Sequence, residues 1–329
     1  MSVNFNNKTI LITGGAGFIG SNIAFYLQNN YPESRIVVFD IFKNENLFNE
    51  FNIKSYGHYK NLIGFKGDII CGDITNDEDL EKIKHYELDY IFHLAAISDT
   101  RINKQEIVLR TNVNSFFKLI HIAINNNAKI VYASSASTYG SSPSPQKIGD
   151  DAPNTLYGFS KYAMSQIAHR YIKEKNMQIV GLKFFNVYGE REFFKEKTSS
   201  MILQLGHQIL AGKSPRLFTG SSKIIRDFVY IKDVVNASIL ACYAKKSGLY
   251  NIGTSLPCSF RDIVDILQQE LKTDLEIEYF DNPYSAYQMD TSADISLSQE
   301  FLGYNPKYTL EQGIKEYIPY IKQTFNWKN

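Results

Sequence analysis

Three shortages shape what this sequence can be. Its 329 residues hold only three cysteines, Cys71, Cys242 and Cys258, far apart and odd in number. Neither a disulfide framework nor zinc-ligand spacing fits them, so they read as reduced structural residues and no metal site is expected. There is no excess of charge: 35 Lys and Arg stand against 34 Asp and Glu, a formal net of +1. That balance gives no broad attraction to nucleic acid or to an anionic membrane. No apolar run approaches a membrane span, and the polar opening from Met1 to Asn7 has no signal-peptide core. A soluble, cytosolic protein is expected. Any anionic ligand must then be met by locally placed Lys, Arg and helix N-termini.

What is present is ordinary in bulk, with 44% hydrophobic and 21% charged residues, enough for one large domain or two closely joined ones. There is no internal repeat or low-complexity linker. Tyr and Phe, 22 each, suit aromatic-lined pockets and plain cores equally well. Short β-rich runs alternate with helical periods. Lys8 to Thr13, Arg35 to Phe39, Asp68 to Cys71, Tyr90 to His93, Lys129 to Ala133 and Ile179 to Phe185 are the strands; helices are expected at roughly 18–29, 78–86, 104–126 and 157–175. Such alternation predicts a parallel sheet covered on both faces, a doubly wound α/β fold of Rossmann type. Phe228 to Tyr230 and Leu249 to Ile252 read as short strands returning to that sheet. The expected division is a Rossmann domain over 1–185 plus about 226–255, and a smaller α/β cap over about 186–225 and 256–329.

Gly14, Gly17 and Gly20 form a G-x-x-G-x-x-G turn between the first strand and first helix. Glycines there allow a tight turn, close backbone approach to a pyrophosphate, and amides at a helix N-terminus facing the charge. The strand-turn-helix context is what separates this from a merely structural glycine cluster. Asp40, at the end of the second strand, falls where an acid would hydrogen-bond a ribose hydroxyl. Asp73-Ile74 is placed to pack on an adenine, and Leu94-Ala95-Ala96 puts small residues where the cofactor backbone would pass. A nicotinamide dinucleotide is the ligand expected.

Tyr157 and Lys161 are one helical turn apart on one face. A nearby ammonium stabilises phenolate and lowers a tyrosine toward the working range of a general base. Ser135, at the end of the preceding strand, is placed to hydrogen-bond a substrate hydroxyl. His93 reads as a buried, hydrogen-bonded strand residue rather than a base.

In this order, the Gly turn, Asp40, Asp73, Phe92-His93-Leu94-Ala95-Ala96, Ser135, Tyr157, Lys161 and Arg226-Asp227-Phe228-Val229 resemble the extended short-chain dehydrogenase/reductases, nucleotide-sugar branch, nearly end to end. The resemblance implies cofactor contacts from Gly14, Gly17, Phe18, Ile19, Gly20, Asp40, Ile41, Asp73, Ile74, Leu94, Ala95, Ala96, Thr111, Tyr157, Lys161 and Val187. The dehydratases of that family carry an Asp-Glu pair after the catalytic Thr or Ser. The segment Ser134 to Gly140 has no acid, so dehydration is disfavoured. Oxidation to a released acid would need a cysteine nucleophile, and no cysteine lies near these motifs.

Phe185-Asn186-Val187-Tyr188-Gly189, Arg191-Glu192 with Lys195, Leu217-Phe218-Thr219-Gly220-Ser221, Arg226 to Tyr230 and Ala286-Tyr287-Gln288 resemble the ADP-L-glycero-D-manno-heptose 6-epimerases within that branch. By residue type alone, a lysine in a Lys195-Glu196-Lys197 loop is ordinarily solvated. The resemblance makes Lys195 a second acid/base opposite Tyr157, with Lys197 as the fallback. It also implies substrate contacts from Ser135, Asn186, Lys197, Gln204, Phe218, Arg226 and Tyr287. The activity implied is inversion of C6 of an ADP-linked heptose through a transient 6-ketone, for lipopolysaccharide core supply, by a homo-oligomer. A GDP-linked or other nucleotide-sugar epimerase or reductase is the alternative, and a non-catalytic dinucleotide sensor a third reading. Asp40 alone points to NAD. The resemblance implies NADP, with Lys43 or another nearby cation available for the extra phosphate.

Overall fold

The computed structural model describes residues 4–42, 57–282 and 289–327. Six strands follow the sequence expectation: β1 (Thr9–Thr13), β2 (Arg35–Asp40), β3 (Asp68–Cys71), β4 (Tyr90–His93), β5 (Lys129–Ser135) and β6 (Ile179–Phe184). A seventh, Gly248–Ile252, returns beside β6, and every pairing in this sheet is parallel. The spatial order is returning strand, β6, β5, β4, β1, β2, β3. β1 therefore has β2 on one side and β4 on the other, and the chain reverses its direction of progress there. In such sheets the crevice beyond the carboxyl ends of the strands at that reversal is where ligands bind.

The sheet divides its apolar residues between two cores with the two-residue period of a strand. Ile10, Ile12 and Val38 face a cluster with Ile23, Ala24 and Leu27 of the first helix, α1 (Phe18–Asn30). Leu11, Val37, Phe39 and Ile91 face the opposite cluster with Phe116, Leu119 and Ile120 of the helix Ser115–Asn126. Each fully buried aliphatic or aromatic side chain of this kind contributes roughly 1.5–3 kcal/mol. Two-sided burial is why these strands read as nearly continuous apolar runs.

Three expectations need correction. The helix expected at 78–86 spans only Asp77–Glu81 and passes into turns. Phe228–Tyr230 does not return to the main sheet. It pairs in parallel with Asn186–Tyr188 in a separate two-stranded sheet. The chain leaves β6 after Phe185, whose N–H donates to Ile252 O, and Asn186 N–H donates instead to Asp227 O. The helix expected over 104–126 is interrupted: Gln105–Leu109 is α-helical, Arg110–Asn114 is a π-helical turn, and Ser115–Asn126 resumes the α-helix. Beyond the sheet, the helices Met201–Leu210, Phe260–Leu271 and Leu310–Asn326 pack on one another. Arg216–Phe218 pairs with Glu278–Phe280. Among the described residues no helix is long and apolar enough to cross a membrane.

Candidate active site

A cleft of about 370 Å³ opens over the carboxyl ends of the strands. Its base is the glycine turn. Gly14 has φ +71°, and a Cβ on it would lie 2.7 Å from Ala95 N; one on Gly20 would lie 2.3 Å from Gly14 O. Side chains are thus excluded where the turn meets both α1 and the end of β4. Gly17 caps α1 with no side-chain hydrogen bond, so amides of the first turn remain for an anionic ligand. This donor set and this bare cradle fit a dinucleotide pyrophosphate.

All sixteen residues expected to contact a cofactor line this cleft, from Gly14, Gly17, Phe18, Ile19 and Gly20 through Asp40, Ile41, Asp73 and Ile74 to Leu94, Ala95, Ala96, Thr111, Tyr157, Lys161 and Val187. Asp40 has a further task. Its carboxylate accepts Ala16 N–H at 2.9 Å and Phe42 N–H at 2.9 Å. It is 6% exposed, and burial pushes its carboxyl above the usual range against those amides. It holds the glycine turn as well as lining the cleft. Lys43 lies outside the described residues.

Ser135, Tyr157 and Lys161 meet at the far end of β5. The helix Leu156–Lys175 starts beside that strand because Thr155 Oγ1 accepts Gly158 N–H and because Gly158 has no Cβ, which would stand 2.4 Å from Ser137 O. Lys161 Nζ donates to Ala133 O at 2.7 Å and lies 5.8 Å from the Tyr157 ring centroid. Burial pulls the Lys161 ammonium down to about 7. The Tyr157 phenol is pushed up by burial, and its hydrogen bond with Ser135 opposes that rise. In the protein alone, then, the phenol is not lowered, contrary to the simple Tyr-Lys expectation, because desolvation dominates.

Lys195 lines the same cleft, with Nζ 5.5 Å from the Phe18 ring centroid. Burial lowers its ammonium and the Glu192 carboxylate opposes this. Two residues on, Lys197 is exposed. Glu196 between them has φ +52°, a left-handed residue that turns one lysine inward and the other out.

Among the described residues, Asn186, Gln204, Phe218 and Arg226, also expected to contact substrate, do not line this cleft. Asn186 is exposed at the edge of its short strand. Gln204 Nε2 donates to Ser199 O at 2.7 Å, bracing the Lys195 loop. Phe218 packs edge-on against Phe280 at 4.9 Å. Arg226 is 8% exposed, donates through Nη1 to Ile225 O and lies 5.9 Å from the Phe260 ring. Tyr287 lies outside the described residues. His93 is buried as expected: Nδ1 is 2.8 Å from Thr13 Oγ1, and desolvation pulls the ring down to about 3.

Sequence reasoning missed Asn112. Its amide donates to Ser160 Oγ and to Ile97 O and accepts Ile97 N–H, so the π-helical turn ties the Tyr157 helix to the loop after β4. Asn112 is a single polar residue with no spacing pattern to mark it. Asp227, named from the sequence only as part of the Arg226-Asp227-Phe228-Val229 motif and given no role, has a buried carboxylate that accepts N–H from Thr254, Ser255 and Ala293 beside Arg226.

The model of the NAD dependent epimerase/dehydratase family matches residues 10–253. ADP-L-glycero-D-manno-heptose-6-epimerase of Brachyspira hyodysenteriae is 33% identical over 326 residues, covering 96% of this chain and 98% of that protein. The crystal structure of the Helicobacter pylori ADP-L-glycero-D-manno-heptose-6-epimerase superposes with a TM-score of 0.89 at 45% identity, over 97% of each chain. UDP-glucuronic acid 4-epimerase from Bacillus cereus, in complex with UDP-glucuronic acid and NAD, aligns with a TM-score of 0.81 at 25% identity, over 96% of this chain and 99% of that one. The chain belongs to the NAD-dependent epimerase/dehydratase family, among the extended short-chain dehydrogenase/reductases.

Proposed function

We propose that this protein is a redox-neutral isomerase that inverts C6 of the heptose in ADP-glycero-manno-heptose. The relatives in Brachyspira and Helicobacter carry that activity in their names. The observation that carries the reading is the delivery of two acid/base candidates to one cleft from separate elements: Tyr157 on the helix beside β5 and Lys195 on the loop after Asn186–Tyr188.

The turn Gly14 to Gly20, with Asp40, Asp73, Ile74 and Leu94 to Ala96, would hold the dinucleotide. When bound, that group supplies a hydride acceptor that can give the same hydride back. The chain's own residues handle the protons. Either Tyr157 or Lys195 accepts the C6 hydroxyl proton, with Ser135 holding that hydroxyl. After the 6-ketone turns, the opposite residue donates a proton to its oxygen. Two groups on opposite sides serve both epimers with no net proton or electron change. Lys161, fixed on Ala133 O, holds a charge or donor beside the phenol. Arg226 binds substrate phosphate in this reading, since a planar guanidinium matches phosphate oxygens.

NADP is the proposed form of the dinucleotide. Both Asp40 oxygens are engaged by backbone amides, which weakens the argument from Asp40 for a free ribose 2′-hydroxyl. The sheet with residues 1–185 and about 226–255 forms the dinucleotide domain, and about 186–225 with 256–329 the substrate cap. The cytoplasm is the proposed location and lipopolysaccharide core heptose the product's destination. Assembly as a homo-oligomer is supported by exposed Phe159 and Ile124, on the Tyr157 helix and on the helix Ser115–Asn126. Given ADP-D-glycero-D-manno-heptose and no added cofactor, the purified protein is expected to produce the C6 epimer by NMR. Net NADPH consumption, or an unchanged C6, would contradict the proposal.

A further inference from the structure

Glu192 is a carboxylate with no exposure, three residues before Lys195. Four donors converge on it. Gly189 N–H and Ser200 Oγ–H reach Oε1 at 3.1 and 2.8 Å, Tyr317 O–H of the C-terminal helix reaches Oε1 at 2.9 Å, and Ser200 N–H reaches Oε2 at 2.5 Å. Both ends of the Lys195 loop, Gly189 and Ser200, are thereby closed on one group and fastened to the helix Leu310–Asn326.

The other side of the loop is latched to the dinucleotide half. Asn22 Nδ2 of α1 donates to Glu190 O at 2.9 Å, and the Arg191 guanidinium lies 3.9 Å from the Phe25 ring centroid. Arg191 Nη1 also donates to Asn61 O, while Asn61 Nδ2 donates to Ala16 O of the glycine turn. Arg191 and Glu196, on either side of Lys195, have φ of +73° and +52°. Such left-handed residues persist where surrounding contacts over-determine them, as they do at functional sites.

We propose that Glu192 is a positioning residue, whose carboxylate closes the loop and holds the Lys195 ammonium at the cleft facing Phe18. The proposal rests on the reading of Lys195 as an acid/base. Lys195 is then placed by a buried carboxylate of its own loop that is fastened to the C-terminal helix, outside the dinucleotide motifs. Burial raises the Glu192 carboxyl while Lys195 and its hydrogen-bond donors pull it down, so the two side chains sense each other's charge.

Glu192→Gln places an N–H₂ among partners that all donate. Tyr317→Phe is the milder change, removing one hydroxyl. On the holoenzyme, Glu192→Gln is expected to lower kcat about 100-fold, with KM and cofactor content little changed, because displacement of a catalytic group by about 1 Å carries that penalty. Tyr317→Phe is expected to lower it about tenfold, the loss of one hydrogen bond to a charged group. Labelling of Lys195 by an amine reagent, followed by mass spectrometry, should become several-fold faster in both variants. In a Lys195→Met background either change should cost almost nothing further in the residual rate, as for residues acting as a unit. If Glu192 serves only to cap the helix Met201–Leu210, the losses will repeat undiminished in that background, and the proposal fails. Wild-type kcat and labelling in both variants, with Lys195→Met inactive, overturn the proposal alone. Full activity of Lys195→Met overturns the acid/base reading, and the proposal with it.

Discussion

Lys161 and Lys195 both line one cleft, the first buried and the second half-buried, yet they are held by different means. Lys161 sits on a continuous helix, one turn from Tyr157, its ammonium on the Ala133 carbonyl at the end of β5. No carboxylate opposes its desolvation, and it falls to about 7. Lys195 sits in a short irregular turn with a left-handed neighbour, and the Glu192 carboxylate opposes its desolvation. The first lysine is placed by regular structure, which a local motif can encode. The second is placed by contacts drawn from α1, the 58–61 segment, and the C-terminal helix. A proton-transfer pair can therefore be assembled from one rigid half and one braced loop, and the two halves should respond differently to mutation.

The sharpest separation is expected from Tyr157→Phe. This change removes the phenolic proton and leaves the ring, so kcat should drop about 10³-fold, within the range for general acid/base groups. Dinucleotide content and thermal stability, read from the cofactor absorbance and a melting curve, should hold. A loss below tenfold would mean that the helix does not carry the chemistry. On the substrate side, Arg226→Lys should raise KM by about tenfold with kcat nearly unchanged, since a planar two-point contact becomes a single one and uniform binding is lost. A fall in dinucleotide content instead would place Arg226 in the cofactor half and break the comparison.

A different kind of effect comes from pH. Lys161 is held at about 7 in the folded chain against an ordinary 10.5. Between those values the unfolded chain carries the extra proton, so stability should rise with pH across that window. Below about 7 both states are protonated, and the folded state bears the full desolvation penalty. Urea unfolding of the wild type at pH 7 and 9.5 should show this rise. Lys161→Met, with no titrating group there, should show less of it.

The glycine-turn side of the cleft was legible because its candidate residues sit at the ends of regular elements, in order along the chain. The glycine turn follows β1, Asp40 ends β2 and Asp73 follows β3, as does Ala95 β4, with Tyr157 opening a helix beside β5. Strand alternation and helix periodicity therefore placed all of these. The corrections fall where short segments choose partners by tertiary contact. Phe228–Tyr230 has the look of any buried strand, but its register with Asn186–Tyr188 depends on Asp227 O accepting Asn186 N–H. Lys195 and Lys197 differ only by the kink at Glu196, which composition does not show. Glu192 is invisible as an anchor until Tyr317, far along the chain, is seen to reach it. Asn112 gave no signal because its π-helical turn interrupts a helix whose apolar period continues across it.

In the proposed reaction C6 loses a hydride and regains the same one while Tyr157 and Lys195 exchange only hydroxyl protons. ADP-heptose deuterated at C6, turned over in ordinary water and read by NMR, tests it directly. Deuterium retained at C6 of the inverted product, with no solvent hydrogen entering there, is the predicted result. Loss of that deuterium to water during inversion would contradict the account.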